Sequence, residues 1–352
     1  MINRRRFLQT SLLAGLAPRV TFAATKEANK SLIKPPALNK GDTVGLVTPA
    51  SPLFEAHQIM IEAREKMEGL GFKVKFGKNV MAKRGYLAGT IEQRVCDLHD
   101  MFKDDSVQAI VAIRGGYGSA QLLPYLDYDL IAANPKILLG YSDITSILNG
   151  IHKKTGLVTF HGPVAVSTFT EYTTKYLFKV LGNTKPVGLI EDAPYDSNLQ
   201  SSNRVWTYRG GEGEGRLIGG NLTLLQSLLG TPYEFDGADA LYFFEEVGEE
   251  PYNIDRILWQ FKMAGKFERC RGVIFDKMPS VKPADYKPGF NSSLSVEEII
   301  DDIFKDYSFP VCVGLSLGHI KEKPTMPLGV RARLDGDAGR IALLEAAVVE
   351  RM

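Results

Sequence analysis

Short runs of apolar residues alternate along this chain with segments whose apolar residues recur every three or four positions. The runs predict buried strands, and the periodic segments predict amphipathic helices. In the first half, strands are predicted at residues 42–48, 72–76, 107–113, 136–141 and 157–160, and helices at 55–69, 90–102 and 143–152. Continuous apolar strands separated by helices are typical of a parallel sheet covered on both faces. We therefore predict an α/β fold whose N-terminal part is an open, doubly wound parallel sheet.

The second half shows the same alternation after an irregular stretch. Residues 184–213 are rich in proline, asparagine, serine and glycine, which predicts a loop or linker. Beyond it, strands are predicted at 216–220, 241–244, 272–275, 311–315, 331–334 and 341–344, and helices at 222–229, 253–266 and 296–304. At about 100–200 residues per domain, 352 residues favour two domains. We expect an N-terminal domain over 40–183 and a C-terminal α/β domain over 214–352, joined by the 184–213 linker.

The first 24 residues differ in character from the rest. They contain Arg4, Arg5, Arg6 and Arg19 but no acid, and a short apolar run precedes the small residues around Ala23. A basic head, an apolar middle and a small-residue exit predict a secretory signal, and the paired arginines resemble a twin-arginine export signal. We expect residues 1–24 to be removed and the protein to reach the periplasm through the twin-arginine export machinery. A solvated basic N-terminus and a retained lipid-surface anchor are the alternatives. The apolar run is shorter than the roughly 20 residues that span a bilayer, so no stable membrane span is expected.

Charge and cysteine content limit the classes of partner. Lysine and arginine total 42 against 41 acids, a net charge of +1, and without the first 24 residues the net charge is −3. No basic surplus exists to neutralise phosphates, which argues against nucleic acid as a partner. Cys96, Cys270 and Cys312 lack CxxC or metal-ligand spacing, and we expect all three to be small buried residues.

Ser142 is a candidate for chemistry because ligands of open parallel sheets bind beyond the carboxyl ends of the strands. A predicted strand runs directly into Gly140-Tyr141-Ser142-Asp143, and a helix follows. This order predicts a nucleophile elbow, with Ser142 at the sheet edge beside the N–H groups of a helix N-terminus. The second glycine of G-x-S-x-G is absent, and helix capping by Ser142 or Asp143 is an equal alternative.

A glycine-rich turn, Arg114-Gly115-Gly116-Tyr117-Gly118, follows another predicted strand. Glycine lets the backbone approach a ligand closely and present its N–H groups. The turn is therefore a candidate donor to the oxyanion of an acyl-transfer reaction. A phosphate loop is one alternative, although the G-x-G-x-x-G pattern and a Walker lysine are missing, and a plain tight turn is another.

A serine nucleophile needs a base, normally a histidine that an acid orients. Among five histidines, His161 and His319 adjoin glycine just past a predicted strand, and either is a candidate. Glu245 and Glu246 follow a third strand, and because adjacent strand residues point to opposite faces, at most one of them faces the site. The alternative is that the acidic run to Glu250 is a solvated loop.

Several motifs taken together point to a family. Over roughly residues 40–345 the chain resembles the LD-carboxypeptidase family of serine peptidases, which also contains the microcin C self-immunity peptidases. The motifs, in the family's order, are RGGYG (114–118), GYSDIT (140–145), GGNL (219–222), FEEVGE (244–249) with Tyr252 and Asp255-Arg256, GH (318–319) and PLG (327–329).

The resemblance implies a role for five residues. It implies Ser142 as nucleophile, His319 as general base and Glu245 as the acid that orients the base. It further implies that the backbone N–H groups of Gly116 and Asp143 form the oxyanion hole, with no metal and no cofactor. In the family the serine lies in the N-terminal domain and the glutamate and histidine in the C-terminal one, so the active site is expected between them. Members are commonly homodimers.

The resemblance also implies a substrate, murein tetrapeptide, cut between the L-centre of the diamino acid and the terminal D-Ala. Arg114 is a candidate for binding the free carboxylate, and His161, in a His-Gly-Pro segment outside the triad, is expected to be structural. One alternative is a microcin-immunity-like peptidase that cleaves peptidyl or aminoacyl nucleotide amides, with Trp206 stacking on the base rather than packing in an interface. Export favours murein, which lies in the same compartment. A periplasmic solute-binding protein without activity is a third reading, against which the presence of all three triad residues argues.

Overall fold

The computed structural model describes residues 31–194, 205–283 and 292–351, so the predicted signal at 1–24 lies outside the described residues. Its strands and helices lie mostly where the apolar pattern predicts them. The strands are β1 (Thr43–Val47), β2 (Lys73–Phe76), β3 (Ala109–Ala112), β4 (Ile137–Gly140), β5 (Phe160–His161), β6 (Gly188–Ile190), β7 (Trp206–Arg209), β8 (Glu212–Asn221), β9 (Ala240–Glu245), β10 (Gly272–Asp276), β11 (Val311–Leu315), β12 (Met326–Pro327), β13 (Arg331–Asp335) and β14 (Arg340–Leu343). The helices are α1 (Ala56–Gly69), α2 (Ile91–Lys103), α3 (Tyr128–Ala133), α4 (Thr145–Thr155), α5 (Glu171–Leu181), α6 (Leu222–Leu228), α7 (Pro251–Met263) and α8 (Val296–Phe304).

The first sheet is built from the N-terminal half of the chain, in the order β12-β5-β4-β3-β1-β2. Strands β1 to β5 are parallel, and β12 joins the β5 edge antiparallel from much later in the chain. Strands β3 and β4 are buried along their whole length, as expected of strands covered on both faces. The predicted doubly wound parallel sheet is thus confirmed.

The second sheet has the order β6-β14-β13-β8-β9-β10-β11-β7. Its central strands β8 to β11 are parallel, and antiparallel strands lie on both sides, including the predicted β13–β14 hairpin. The expectation of a plain loop over 184–213 is wrong for its described part. There β6 pairs with β14 and β7 pairs with β11, because these short strands satisfy the open edges of the sheet. The domain boundaries at 183 and 214 stay a prediction.

One apolar core joins the two sheets. It contains residues of the first sheet such as Leu46 and Leu139 together with Leu241 and Ile274 of the second sheet. A second core covers the other face of the second sheet and is rich in phenylalanine, with Phe244 at its centre. The shared core fixes the strand ends of one sheet relative to those of the other. None of the helices in the described ranges has the length and apolar character to cross a membrane.

The three cysteines are not all buried. Cys270 and Cys312 are buried, but Cys96 is exposed, so the expectation for Cys96 is wrong. Cys96 lies on the outer face of α2, while Arg94 and Asp97 of the same helix turn inward. Hydrogen bonds to nearby backbone and side chains allow these two polar residues to be buried in its place.

Candidate active site

Ser142 follows β4 directly, at a sharp turn of the backbone. Its φ is 62°, in the left-handed region that L-residues rarely adopt, and one turn of 3₁₀-helix over Ser142–Ile144 leads into α4. Gly140 permits this turn, because a Cβ there would lie 2.8 Å from Cγ2 of Ile144. Neither of the predicted capping residues, Ser142 and Asp143, caps α4 with its side chain. The geometry is that of a nucleophile elbow, with Ser142 at the N-terminus of a helical segment.

The structure brings Ser142, His319 and Glu245 together in one hydrogen-bonded row. The Nε2 atom of His319 lies 3.1 Å from Oγ of Ser142, and its Nδ1 atom lies 2.7 Å from Oε2 of Glu245. Glu245 ends β9 and is fully buried, whereas His319 lies in the segment between β11 and β12. A carboxylate bonded to Nδ1 leaves Nε2 unprotonated toward the serine, which is the tautomer that a base needs.

Gly318 allows the segment that carries His319 to approach Glu245. A Cβ on Gly318 would lie 2.3 Å from Oε2 and 2.5 Å from Cβ of Glu245. Such distances are far inside van der Waals contact, so any larger residue would separate the histidine from its acid. The Gly-His pair of the sequence motif therefore has a steric reason.

Glu246 points away from the histidine. Its Oε1 accepts a hydrogen bond from Nδ2 of Asn221 at 2.9 Å, and its Oε2 accepts one from the backbone N–H of Thr223 at 2.9 Å. Burial raises the pKa of Glu246, and these hydrogen bonds oppose the rise. Glu246 thus holds the start of α6, and Glu245 is the acid that faces His319, in keeping with the alternation of strand residues.

The glycine turn 114–118 lies against Ser142. A Cβ on Gly115 would lie 3.1 Å from Cβ of Ser142, and a Cβ on Gly116 would lie 2.3 Å from Oγ of Ser51. Gly116 also has a φ of 125°, which favours glycine. Oγ of Ser51 accepts a hydrogen bond from the N–H of Tyr117 at 3.0 Å. The turn is therefore held with its backbone beside the serine, where N–H groups are needed for an oxyanion hole.

The side chain of Asp143 ties the elbow to the glycine turn. It accepts hydrogen bonds from the N–H of Gly118 at 3.1 Å and from the N–H of Ser119 at 2.8 Å. Burial raises the pKa of Asp143, while the bonds from Ser119 and Gly118 and the charge of Arg94 lower it. The carboxylate thereby fixes the distance between the two backbone segments that were predicted to form the oxyanion hole.

Arg94 also holds the glycine turn in place, and the sequence analysis did not predict a role for it. This buried guanidinium donates to the carbonyl groups of Pro49 and Gly118, each at 3.0 Å, and to Oε1 of Gln121 at 3.0 Å. The sequence did contain a signal for this role, which is that Arg94 lies next to the apolar Val95 on a strongly amphipathic helix. An arginine on the buried face of a helix needs several hydrogen-bond acceptors around it.

Ser142 opens into a cavity of about 560 Å³. Its walls combine the glycine turn, the serine and histidine, apolar side chains and two charged residues: Ile59, Glu62, Arg114, Gly115, Gly116, Tyr141, Ser142, Val164, Val166 and His319. The guanidinium of Arg114 lies 5.1 Å from the ring centroid of Phe54 and donates to the carbonyl of Pro52 at 3.3 Å. The predicted carboxylate-binding residue thus does border the cavity, with its position fixed by two contacts.

Trp206 is not brought to this cavity. It lies on β7, edge-on to Tyr208, and lines another cavity of about 630 Å³ together with Asp276. Asp276 is fully buried, and burial followed by the charge of Glu245 raises its pKa well above the usual range.

His161, the second candidate base, is buried away from Ser142. Its Nε2 lies 3.0 Å from the carbonyl oxygen of Leu317, immediately before Gly318 and His319. Burial lowers the pKa of His161, so the imidazole is neutral and donates this hydrogen bond. The residue anchors the segment that carries His319, which agrees with the structural role expected for it. Across the described residues, no group of three or more histidine, cysteine, aspartate or glutamate side chains is arranged to hold a metal ion.

Two family profiles match most of the chain. Residues 44–162 match the LD-carboxypeptidase N-terminal domain, and residues 214–334 match the LD-carboxypeptidase C-terminal domain. The probable murein peptide carboxypeptidase of Bacillus subtilis (strain 168) is 38% identical over 325 residues, which cover 90% of this chain and 96% of that protein. The murein tetrapeptide carboxypeptidase of Pseudomonas aeruginosa is 31% identical over 303 residues, 84% of this chain and 93% of that protein. The solved wild-type apo structure of the microcin C7 self-immunity protein MccF superposes with a TM-score of 0.79 at 28% identity, over 90% of this chain and 99% of that one.

Proposed function

This chain belongs to the LD-carboxypeptidase family and is a peptidase. We propose that it is a serine-type LD-carboxypeptidase that releases the terminal D-Ala of murein tetrapeptide. The reaction would serve peptidoglycan turnover or recycling. The observation that carries the proposal is the hydrogen-bonded row of Ser142, His319 and Glu245 on the wall of an open cavity. The similarity to relatives named for murein peptides supports the choice of substrate.

The first step forms an acyl-enzyme. Oγ of Ser142 attacks the carbonyl carbon of the diamino acid while Nε2 of His319 takes the hydroxyl proton. Glu245 holds the imidazole in this tautomer and stabilises its charged form. The C–N bond then breaks, and His319 returns the proton to the departing amine of D-Ala. Water hydrolyses the ester by the same steps in reverse.

The backbone supplies the oxyanion hole. In this mechanism the N–H groups of Gly116 and Asp143 donate to the oxygen that becomes negative in the tetrahedral intermediate. Removing one such donor in comparable sites costs about 10²–10³ in rate. Because the carboxylate of Asp143 binds the Gly118 end of the turn, the two donors keep a fixed separation without waiting for substrate.

A carboxypeptidase must also bind a free carboxylate beside the leaving amine. Arg114 borders the cavity and carries a fixed cationic group, so we assign it this contact. An arginine also suits the task because its planar fork matches both carboxylate oxygens.

The test is release of D-Ala from murein tetrapeptide. The unmodified protein is expected to release it, and Ser142→Ala is expected to lower kcat by about 10⁶-fold, as loss of a serine nucleophile does elsewhere. Ser106→Ala, at an exposed position outside the site, is the matched control and should keep full activity. Undiminished release by Ser142→Ala would overturn the mechanism, and binding without release by the unmodified protein would favour a solute-binding protein.

A second candidate activity rests on the likeness to MccF. That protein has been solved with aspartyl sulfamoyl adenosine, and the fold of this chain matches it over most of its length. The competing proposal is that this chain cleaves such aminoacyl nucleotide amides. Side-by-side assays compare the two substrates. If the protein hydrolyses aspartyl sulfamoyl adenosine faster than murein tetrapeptide, the competing proposal is supported. Trp206 lines a different cavity from Ser142, which weighs against its stacking on a base at this site.

We also propose that the working enzyme is periplasmic and dimeric. The four arginines of residues 1–24 support export by the twin-arginine machinery, and the three free cysteines fit a protein that needs no disulfide and can be exported already folded. N-terminal sequencing of the exported protein should begin after Ala23 or Ala24, whereas a sequence that begins at Met1 would contradict cleavage. Sedimentation equilibrium should give twice the chain mass, and the mass of a single chain would contradict the proposed dimer.

A further inference from the structure

Lys323 is a buried lysine four residues after His319. Only 4% of its surface is exposed. Its backbone N–H donates to Oγ1 of Thr173 on α5 at 3.1 Å, which fixes the segment against the protein. Its ammonium lies 5.2 Å from the ring centroid of Tyr141, over a ring that borders the cavity of Ser142. Burying an ammonium is unfavourable unless a charge or a π face compensates it, so its position calls for a reason.

The ring under Lys323 also contacts the candidate base. The ring centroids of Tyr141 and His319 are 5.0 Å apart, so the ammonium and the imidazole are both neighbours of one aromatic ring. Burial lowers the pKa of Lys323, and the negative charges of Glu245 and then Glu322 oppose this fall. Oε1 of Glu245 has no hydrogen-bond partner among the described residues, so Lys323 acts on this carboxylate through space and not through a direct ion pair.

Burial favours the neutral form of three ionisable groups beside the Glu245–His319 pair. Burial raises the pKa of Tyr141 and of Asp276 and lowers the pKa of His161, and in each case the neutral form is the one favoured. Two charged residues, Glu62 and Arg114, also line the cavity that His319 borders, and both are only partly buried. Lys323 is therefore the buried cation beside the pair.

We propose that Lys323 is a positioning residue of the active site, whose buried ammonium keeps His319 in its neutral, proton-accepting form. With neutral His319, the pair carries the single negative charge of Glu245, and with protonated His319 it carries none. A nearby buried cation stabilises the first state relative to the second. The inference rests on the proposed triad but not on the proposed substrate.

The test follows the pH dependence of Ser142 reactivity toward a fluorophosphonate probe. In this reaction Oγ of Ser142 forms a bond to phosphorus, the P–F bond breaks, fluoride leaves and His319 takes the proton. Lys323→Met should move the acidic limb of the rate profile to higher pH by about one unit, which is about tenfold slower labelling on that limb with an unchanged plateau. Lys323→Arg keeps the charge and should restore the position of the limb.

Lys321→Met is the matched control, because it removes the same charge from an exposed position two residues earlier. It should leave the profile in place. If Lys323→Met does not fold, Lys323→Gln gives a second neutral variant of similar length. A uniform loss of rate at every pH, with the limb unmoved, would overturn the proposal and leave Lys323 a structural role. An equal shift in Lys321→Met would overturn it as well.

The probe also separates this inference from the choice of substrate. Normal labelling without D-Ala release would overturn the murein proposal and leave the role of Lys323 intact. Release of D-Ala by the unmodified protein, together with a wild-type labelling profile in Lys323→Met, would support the murein proposal and overturn the role of Lys323.

Discussion

At the scale of single residues, two adjacent glutamates perform different tasks. Glu245→Gln should lower kcat by about 10³–10⁴-fold, as the corresponding change does in another serine triad, because a neutral amide no longer fixes the imidazole tautomer or stabilises its charge. Glu246→Gln should instead lower the free energy of unfolding by about 1–3 kcal/mol, since its NH₂ group replaces one of the two acceptor oxygens and faces the donor of either Asn221 or Thr223.

The two variants serve as controls for each other, measured by D-Ala release and by urea unfolding. Equal losses of activity in both would contradict the assignment of Glu245. Loss of activity in Glu246→Gln alone would move the orienting role to that residue.

Chemistry at single positions was only partly predictable. Strand ends singled out Ser142 and the glycine turn, but residue patterns alone left His161 and His319 as equal candidates for the base. Their distinction depends on tertiary position, since His161 bonds to the carbonyl of Leu317 inside the core. The burial of Lys323 was not predictable from the sequence, because a lysine in a polar loop is expected to be exposed. It is buried in the structure because α5 and Tyr141 pack against it.

At the scale of elements, α2 supports the oxyanion hole through one side chain. Arg94→Met would leave the carbonyl groups of Pro49 and Gly118 without their donor and Asp143 without a nearby positive charge. We expect the free energy of unfolding to fall by about 2–4 kcal/mol and kcat to fall by about 10-fold or more, because the turn that carries Gly116 loses its support.

Arg64→Met is the control for this prediction. Arg64 lies on the exposed face of α1, where it makes an i,i+4 contact with Glu68 at 3.7 Å and its guanidinium lies 5.0 Å from the ring centroid of Phe76. Its loss should lower the free energy of unfolding by about 1 kcal/mol or less. Urea unfolding and D-Ala release measure both variants. An Arg94→Met protein with full stability and activity would show that the buried network does not support the site.

Central strands were predictable because burial on both faces leaves a continuous apolar run, and helices were predictable because burial of one face leaves apolar residues every three or four positions. The edge strands β6 and β7 were not, and they fell within the stretch predicted as a linker. β7 has the sequence Trp-Thr-Tyr-Arg and is only partly buried, so its pattern is weak. It becomes a strand because β11 offers an unpaired edge, which is a property of the sheet and not of the segment.

At the scale of the whole molecule, the candidate triad joins residues that are far apart in the chain. Ser142 and His319 are 177 positions apart, and Glu245 and His319 are 74 apart. The periodicity of apolar residues carries no information about contacts between residues so far apart in the sequence. Only the family resemblance predicted that these three residues lie together. The structure supplies the physical reason, which is that β4 and β9 end on sheets that pack on one apolar core.

This shared core leads to a prediction about unfolding. Labelling of Ser142 by a fluorophosphonate needs the first sheet for the serine and the second sheet for Glu245, and the core that joins the sheets should make their loss cooperative. Urea unfolding followed by far-UV circular dichroism and by labelling should therefore give coincident midpoints. Ser142→Ala provides the background labelling at each urea concentration. A labelling midpoint clearly below the dichroism midpoint would mean that the two sheets separate before they unfold, and it would contradict the role given to the shared core.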